Sequence, residues 1–313
     1  MSLASGGKIT GMQITRLPRF KRSTNIAGIR LDRDRQILRE VGDHRFLRSE
    51  QITSLLPGSK QQSLRRLQLL YHHGFLERPR CQIDYYHRGG SRSIAYGLAN
   101  KGAGLLKREL SLPFHRLDRP KDQSVHRLFL EHALLVSEVM VRVELACRSR
   151  SDIRLLSPSD LASPSTAGLK REPLQWKVEI AKGRACSVIP DRVFGLEFAN
   201  RPPGENRIWF CLEADRGTMP ITRRNLDQSS FYRKLFAYEA TWTHQLPLKI
   251  FGGPRFRVLT VTANPTRLAK MIEVCCGLER GRGLFLFTHA EELGAGLLNL
   301  FWHTCRGKAT LLD

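Results

Sequence analysis

The chain has 313 residues, enough for about two domains, and its 41% hydrophobic residues are too many for a disordered protein. The 51 Lys and Arg against 29 Asp and Glu give a net charge of +22, which indicates a polyanionic partner, either nucleic acid or an acidic membrane surface. No long apolar run predicts a membrane span, the start lacks the apolar core of a signal peptide, and the seven cysteines include no Cys-x-x-Cys zinc motif. We therefore expect a cytoplasmic protein.

The positive charge is concentrated near the amino terminus. Residues 1–110 hold 21 Lys and Arg against 8 Asp and Glu, a net charge of +13 in about a third of the chain. A membrane-surface protein would account for this charge, but residues 1–30 have no sustained amphipathic face. We interpret 1–30 as a flexible basic arm and expect nucleic-acid contacts in the segment 31–110.

Three short helices are predicted after the arm. Asp34 and Ser49 are the expected N-caps of the first two, and Pro57-Gly58 makes a tight break before the third. This is helix-turn-helix spacing. The residues expected to face inward are Ile37, Leu38 and Val41 on the first helix, and Leu64, Leu67, Leu70 and Tyr71 on the third.

The outward face of the third helix carries amide and guanidinium groups, which suit base edges and phosphates. A hairpin with a basic tip at Arg88 and Arg92 follows, so the sequence predicts a winged-helix DNA-binding domain over 31–110. The alternative is a helix–hairpin module for protein contacts, its arginines merely solvated. On the helix, the candidate DNA-binding residues are Lys60, Gln61, Gln62, Arg65 and Arg66.

A polar, proline-containing linker, 111–124, leads to a second predicted domain over 125–313. This domain opens with a helix that is apolar on nearly every side and is therefore expected to be buried. The helix nevertheless carries Glu131, His132 and Glu138, and buried carboxylates need partners. Pairing of Glu138 with Arg142, four residues on, is one explanation.

Three carboxylates are predicted to converge from two neighbouring strands. Glu213 and Asp215 alternate along one strand and so share a face, and Asp191 can join them from the strand before. Their mutual repulsion suggests a bound Mg²⁺ or Mn²⁺. The alternative for Asp215-Arg216-Gly217-Thr218 is a carboxylate–guanidinium pair at a strand end, with glycine for the turn. Further helices and strands follow, so the fold class is mixed α/β.

The order of several short motifs resembles the replication-relaxation family of bacterial plasmids and integrative elements. These motifs are YGLANKG, Glu131-His132-Ala133-Leu134-Leu135, Pro190-Asp191, LEADRGT, Lys234 with Tyr238, and RVLTVT with Arg267, and the similarity covers most of 34–303. The resemblance implies a winged helix fused to a restriction-endonuclease-like PD-(D/E)xK domain, a mixed sheet flanked by helices. It implies a role on mobile-element DNA, and some members of the family resemble conjugative relaxases.

The resemblance also assigns site residues. Asp191 and Glu213 take the places of the two metal-binding carboxylates, and either Glu138 or Glu131 is the expected third ligand. PD-(D/E)xK enzymes have lysine two positions after the second acid, where this chain has Asp215. Lys234 is the preferred replacement and Lys177 the alternative.

Two functions remain open. One is a Mg²⁺- or Mn²⁺-dependent endonuclease that nicks double-stranded DNA in plasmid relaxation, mobilisation or replication, and the other is a DNA-binding regulator whose nuclease fold is inactive. A homodimer and contacts with other mobilisation or replication proteins are compatible with either. No motif indicates a covalent phosphotyrosine intermediate, although the candidate nucleophiles would be Tyr85, Tyr86, Tyr232 and Tyr238.

Overall fold

A computed structural model describes most of the chain. The described residues are 18–24, 26–32, 34–83, 93–110, 126–157, 160, 174–225, 227–294 and 296–312. The fold is mixed α+β, as the sequence predicted, with helices dominating the amino-terminal part and a seven-stranded sheet the carboxy-terminal part. No helix in the described ranges has the length and apolar character needed to cross a membrane.

The amino-terminal module packs four helices against a small antiparallel sheet with strand order β1-β3-β2. The third helix, α3, lies against the first two through Leu67 and Leu70, which are fully buried. The predicted tip of the hairpin between β2 and β3, including Arg88 and Arg92, lies outside the described residues. The elements are α1 (Arg35–His44), β1 (Phe46–Arg48), α2 (Ser49–Leu55), α3 (Lys60–His72), β2 (Leu76–Glu77), β3 (Ala95–Leu98) and α4 (Asn100–Leu110).

Several local predictions for this module need correction. Leu64 was expected to face inward, but 38% of it is exposed. Ser49 is the first residue of α2 rather than its N-cap. Asp34 does precede α1, but its carboxylate caps no backbone N–H and instead accepts hydrogen bonds from Arg66. The described part of the predicted arm contacts the module, since Arg22 donates to the Leu76 carbonyl and forms an ion pair with Glu77.

The seven-stranded sheet has the order β12-β11-β10-β9-β8-β7-β4, with β8, β9 and β10 parallel and the other neighbours antiparallel. Strands β5 and β6 form a separate hairpin against α6. The elements are α5 (Arg127–Arg148), β4 (Ile153–Leu156), β5 (Trp176–Ala181), β6 (Arg184–Val188), β7 (Arg192–Phe198), β8 (Arg207–Asp215), α6 (Phe231–Thr243), α7 (Leu246–Phe251), β9 (Phe256–Thr262), α8 (Pro265–Cys276), β10 (Phe285–His289), β11 (Trp302–Thr304) and β12 (Gly307–Ala309).

The two faces of this sheet bury different helices. Trp209 and Cys211 of β8 face α6 and α8, whereas Phe210 and Leu212 face α5, as the alternation of side chains along a strand requires. Trp242 near the end of α6 lies outside this core and is 43% exposed.

Helix α5 is covered on two sides, which explains why it is apolar around most of its circumference. Val139 and Val143 belong to the core of the large sheet, while Leu134 packs in a cluster with Phe46 and Ala95 of the amino-terminal module. Polar contacts continue along the same junction, including the Ser137 hydroxyl that donates to the His44 carbonyl at 3.1 Å. The helix is therefore shared by both parts of the protein.

Candidate active site

Asp191 lies at the turn into β7, beside the end of β8. Its backbone N–H donates to the Leu212 carbonyl at 3.0 Å, continuing the pairing of the two strands. Its carboxylate accepts a hydrogen bond from the Ala214 N–H at 2.8 Å, and its other oxygen lies 3.1 Å from Nε2 of His132. The side chain is thus held between β8 and α5.

Glu213 is almost completely buried, with 5% of its surface exposed. Its Oε2 lies 2.5 Å from Nζ of Lys234, and its Oε1 accepts a hydrogen bond from the Tyr238 hydroxyl at 2.6 Å. Lys234 and Tyr238 reach the same carboxylate because residues four apart on a helix share a face. Helix α6 therefore supplies both partners, and its N-cap Ser230, which accepts a hydrogen bond from the Arg233 N–H, fixes where it begins.

Asp191, Glu213 and Lys234 form one electrostatic group. Burial raises the pKa of Glu213 above its ordinary value, Asp191 raises it further, and the positive charge of Lys234 opposes both. Burial lowers the pKa of Lys234, but the charges of Glu213 and Asp191 outweigh it, so this pKa is raised. The lysine is consequently held in its charged form beside two carboxylates.

Asp215 has a different environment from Glu213 although both lie on the same face of β8. Arg267 at the start of α8 binds both of its oxygens, with Nη2 at 2.8 Å from Oδ1. The Thr262 hydroxyl and the Gly217 N–H donate to Oδ2 at 2.9 and 3.1 Å. The predicted carboxylate–guanidinium pair therefore exists, but its arginine comes from α8 rather than from Arg216.

Each of the three carboxylates has its own basic partner. These pairs are Asp191 with His132, Glu213 with Lys234, and Asp215 with Arg267. Lys234 and Arg267 therefore offset the charge of Glu213 and Asp215, whereas His132 carries a charge only when protonated. Binding of a metal ion at these carboxylates stays a prediction.

The two glutamates predicted as a third metal ligand make contacts elsewhere. Glu138 accepts hydrogen bonds from Arg142 and from Gln51 of α2, both at 2.6 Å, and therefore joins α5 to the amino-terminal module. Glu131 pairs with Arg127 at the surface. The contact that α5 makes with Asp191 comes from His132, which the sequence analysis noted as a polar residue on an apolar helix but did not assign to the site.

Within the described ranges, the only trio of His, Cys, Asp or Glu whose ligand atoms lie within 4.8 Å of one another is away from these carboxylates. It consists of Glu40, His44 and Glu144, where α1 meets α5. Arg148 contacts both glutamates, at 3.0 and 2.5 Å, so an ion-pair network accounts for the cluster.

Unlike Lys234, the alternative lysine and the candidate tyrosine nucleophiles are not placed to react at this site or lie outside the described residues. Lys177 lies on the exposed face of β5. Tyr238 is 1% exposed, donates to Glu213 and has a pKa raised well above its ordinary value, chiefly by burial, so its hydroxyl is not available as a nucleophile. Tyr232 packs edge-on against Phe236. Tyr85 and Tyr86 lie outside the described residues.

A small cavity of about 110 Å³ adjoins Glu213 and Lys234. One wall comes from β6 and the turn after it, and the other from the loop before α6 and the first turns of that helix. The cavity opens a route from the surface to the buried carboxylate. Its lining residues include Ser187, Ile189, Met219, Ser229, Arg233 and Lys234.

The candidate DNA-binding residues of α3 do not all behave alike. Lys60, Gln61, Gln62 and Arg65 are exposed. Arg66 instead binds the fully buried Asp34, with Nε at 2.8 Å from Oδ1, and also donates to the Arg30 carbonyl. Arg66 is therefore corrected from a DNA contact to a structural partner of Asp34.

Comparison with known proteins identifies the family. A family model described as replication-relaxation matches residues 38–248, about two thirds of the chain. The chain belongs to the replication-relaxation family. No curated protein and no solved structure matches it.

The matched segment of this replication-relaxation protein contains most of the site. It includes most of α1 and all of α2 and α3, together with His132, Asp191, Glu213, Lys234 and Tyr238. It ends before Arg267, so the RVLTVT motif and the partner of Asp215 lie outside the matched residues.

Proposed function

We propose that this protein binds double-stranded DNA of a plasmid or integrative element and nicks it by metal-dependent hydrolysis. The observation that carries the proposal is the convergence of Asp191, Glu213 and Lys234 from β7, β8 and α6 beside an open cavity. Two acids and a lysine are the groups that the PD-(D/E)xK chemistry requires, although the lysine here comes from the following helix.

The donor set suits a divalent ion. Asp191 and Glu213 offer carboxylate oxygens, the ligands that Mg²⁺ and Mn²⁺ prefer. Each carboxylate accepts two hydrogen bonds in this structure and has acceptor positions left over. When bound there, the ion would polarise the scissile phosphate and favour deprotonation of an attacking water.

The surrounding residues fix the orientation of the two acids. His132 and the Ala214 N–H hold Asp191, and Tyr238 holds one oxygen of Glu213. Lys234 keeps two further N–H donors besides the one directed at Glu213, and these can stabilise negative charge that develops on a phosphate. We therefore assign catalysis to Asp191, Glu213 and Lys234, and a positioning role to His132 and Tyr238.

Duplex binding is assigned to the amino-terminal module as a winged helix. The support is the exposed row of Lys60, Gln61 and Arg65 on α3, together with the +13 charge of residues 1–110. The phosphate backbone attracts such a surface without regard to sequence, and amide side chains on the helix can read base edges.

Nicking of supercoiled DNA tests the proposal. With Mg²⁺ or Mn²⁺ the wild-type protein should convert supercoiled plasmid to open circles, and EDTA should stop the reaction. Asp191→Ala and Lys234→Ala should each abolish nicking and leave duplex binding by the amino-terminal module nearly unchanged. Lys177→Ala is the matched control, because Lys177 is an exposed lysine on the neighbouring hairpin, and this variant should keep its activity.

A DNA-binding protein without nuclease activity is the second candidate. It is favoured by the contacts of the site carboxylates with Lys234 and Arg267, because these two cations offset much of the negative charge without a metal ion. Full duplex binding with no nicking under either metal, on plasmids that carry the element's own origin, would establish this candidate and refute the nuclease.

A further inference from the structure

The cavity beside Glu213 is the right size for a small anion. Its volume of about 110 Å³ is well below that of an ordinary small-molecule pocket, which is roughly 300–1,000 Å³. Lys234 and Tyr238 in its lining donate to Glu213, and other lining side chains can also donate hydrogen bonds, namely Ser187, Ser229, Ser230 and Arg233. The donors outnumber the one carboxylate in the lining, Glu213, which Lys234 already neutralises.

Arg233, one of the lining residues, has an unsatisfied side-chain donor. Its Nη1 donates to the Asp227 carbonyl at 3.1 Å, but its Nε is buried and finds no acceptor in the part of the chain that the structure describes. Buried N–H groups of proteins are nearly always hydrogen-bonded, and an exception calls for an explanation. The Nε edge of a guanidinium is the edge that binds two oxygens of one phosphate.

The backbone at the start of α6 does not provide an alternative anion site. The N–H groups of Phe231 and Tyr232 donate to the Pro220 and Ile221 carbonyls, and the Arg233 N–H donates to the Ser230 hydroxyl. Attraction for an anion in this cavity must therefore come from side chains. Arg233 and Lys234 are positively charged, and because Glu213 offsets one of these charges the lining keeps a net positive charge.

We propose that the cavity binds a phosphate group of the DNA strand, with Arg233 as its main ligand. The inference deepens the proposed function, on which it rests, by assigning the place of a phosphate adjacent to the one that is cut. Arg233 provides the paired N–H donors, and Ser187 and Ser229 line the same space. Lys234 lies between this phosphate and Glu213, so strand binding and the catalytic group are neighbours.

Binding of inorganic phosphate tests the cavity without any cleavage. Phosphate titrated at constant ionic strength should raise the thermal unfolding midpoint of the wild-type protein and of Arg224→Gln, an exposed arginine of the same loop. Arg233→Gln should weaken phosphate binding about tenfold or more, because a charge-assisted pair of hydrogen bonds is lost. Equal phosphate binding by Arg233→Gln and Arg224→Gln would overturn the inference, and Arg233→Lys should recover part of the affinity.

A methylphosphonate scan tests the same contact in DNA. A neutral methylphosphonate at the phosphate bound by Arg233 should slow nicking by the wild-type enzyme. It should add nothing to the defect of Arg233→Gln, because the two changes remove one interaction. Independent, additive effects at every position would reject the assignment. If the wild-type protein cuts no DNA, the proposed nuclease fails while the phosphate titration still decides the cavity.

Discussion

Glu213 is a buried carboxyl group whose negative charge is offset by a neighbouring lysine. Its desolvation works against the ionised form, and only Lys234 and the Tyr238 hydroxyl offset it from within α6. Lys234 is about a third exposed, so solvent reaches the cation but hardly reaches the acid. The ionisation of Glu213 therefore depends mainly on a single side chain.

Replacement of that cation should change the titration of Glu213. In Lys234→Met the pKa of Glu213 should rise above its already raised wild-type value, because the opposing positive charge is gone while burial and Asp191 remain. ¹³C NMR of side-chain-labelled glutamate would measure it. Lys234→Arg should restore most of the difference.

The same variant should show a characteristic pH dependence of stability. A carboxyl group whose pKa is higher in the folded than in the unfolded chain favours folding at low pH. There the group is protonated in the folded state, so folding does not bury a negative charge. That contribution is lost as the pH rises from about 4.5, the ordinary glutamate value, through the folded-state pKa. Lys234→Met should lose more stability over this range than the wild type, and the double variant with Glu213→Gln should not. An identical pH profile in all three would contradict the role given to Lys234.

The sequence predicted the acids and the lysine better than it predicted their partners. Alternation along β8 and the motif resemblance brought together Asp191, Glu213 and Lys234, which the structure also places side by side. His132 and Arg267 lie 59 and 52 residues from the carboxylates they bind, and no local pattern encodes such a distance. Periodicity shows which residues share a face of a helix but not what that face meets, so it indicated the pairing of Glu138 with Arg142 but not its contact with Gln51 of α2.

At the scale of elements, helices and strands with strong periodicity were predictable, and the short edge strand β1 was not. The helices α1 to α3 and α5 and the strands β7 and β8 lie where apolar spacing and turn residues indicated. Strand β1 has three residues, too few for a period to show, and it forms only by pairing with β3. The sequence also could not separate Arg65 from Arg66 on α3, because both were expected to face outward, whereas Arg65 is exposed and Arg66 binds Asp34.

Arg65 and Arg66 make a matched pair for experiment. Arg66→Ala should destabilise the protein by about 3 kcal/mol, because it leaves the fully buried Asp34 carboxylate without its cation. Arg65→Ala should change the free energy of unfolding by less than about 0.5 kcal/mol. It should weaken duplex binding and reduce the slope of log affinity against log salt by about the value of one phosphate contact. Chemical denaturation and DNA titrations over a range of salt would measure both. Equal effects of the two variants on stability would contradict the structural assignment.

At the scale of the whole molecule, the shared helix α5 should make the two parts unfold together. Leu134→Ala should cost about 2–5 kcal/mol, since Leu134 is 6% exposed against Phe46 and Ala95. The four tryptophans, all beyond residue 175, should report the same shifted transition as far-ultraviolet circular dichroism. Leu128→Ala is the control on the same helix, because Leu128 is 59% exposed. An early transition in circular dichroism with the tryptophan signal unchanged would show that the parts are independent.

The seating of the amino-terminal module on α5 also has a geometric consequence for DNA. Contacts run from Leu134 to Arg148 along this helix, whose other side carries the sheet and whose first turns carry His132 to Asp191. Under the proposed function, the DNA-binding surface of α3 and the candidate catalytic residues would be held at a fixed separation. Because neighbouring base pairs are spaced by about 3.4 Å, that separation would correspond to a fixed number of base pairs between the sequence bound by α3 and the bond that is broken. The packing of α5, and not the length of chain between residues 110 and 126, would set that number.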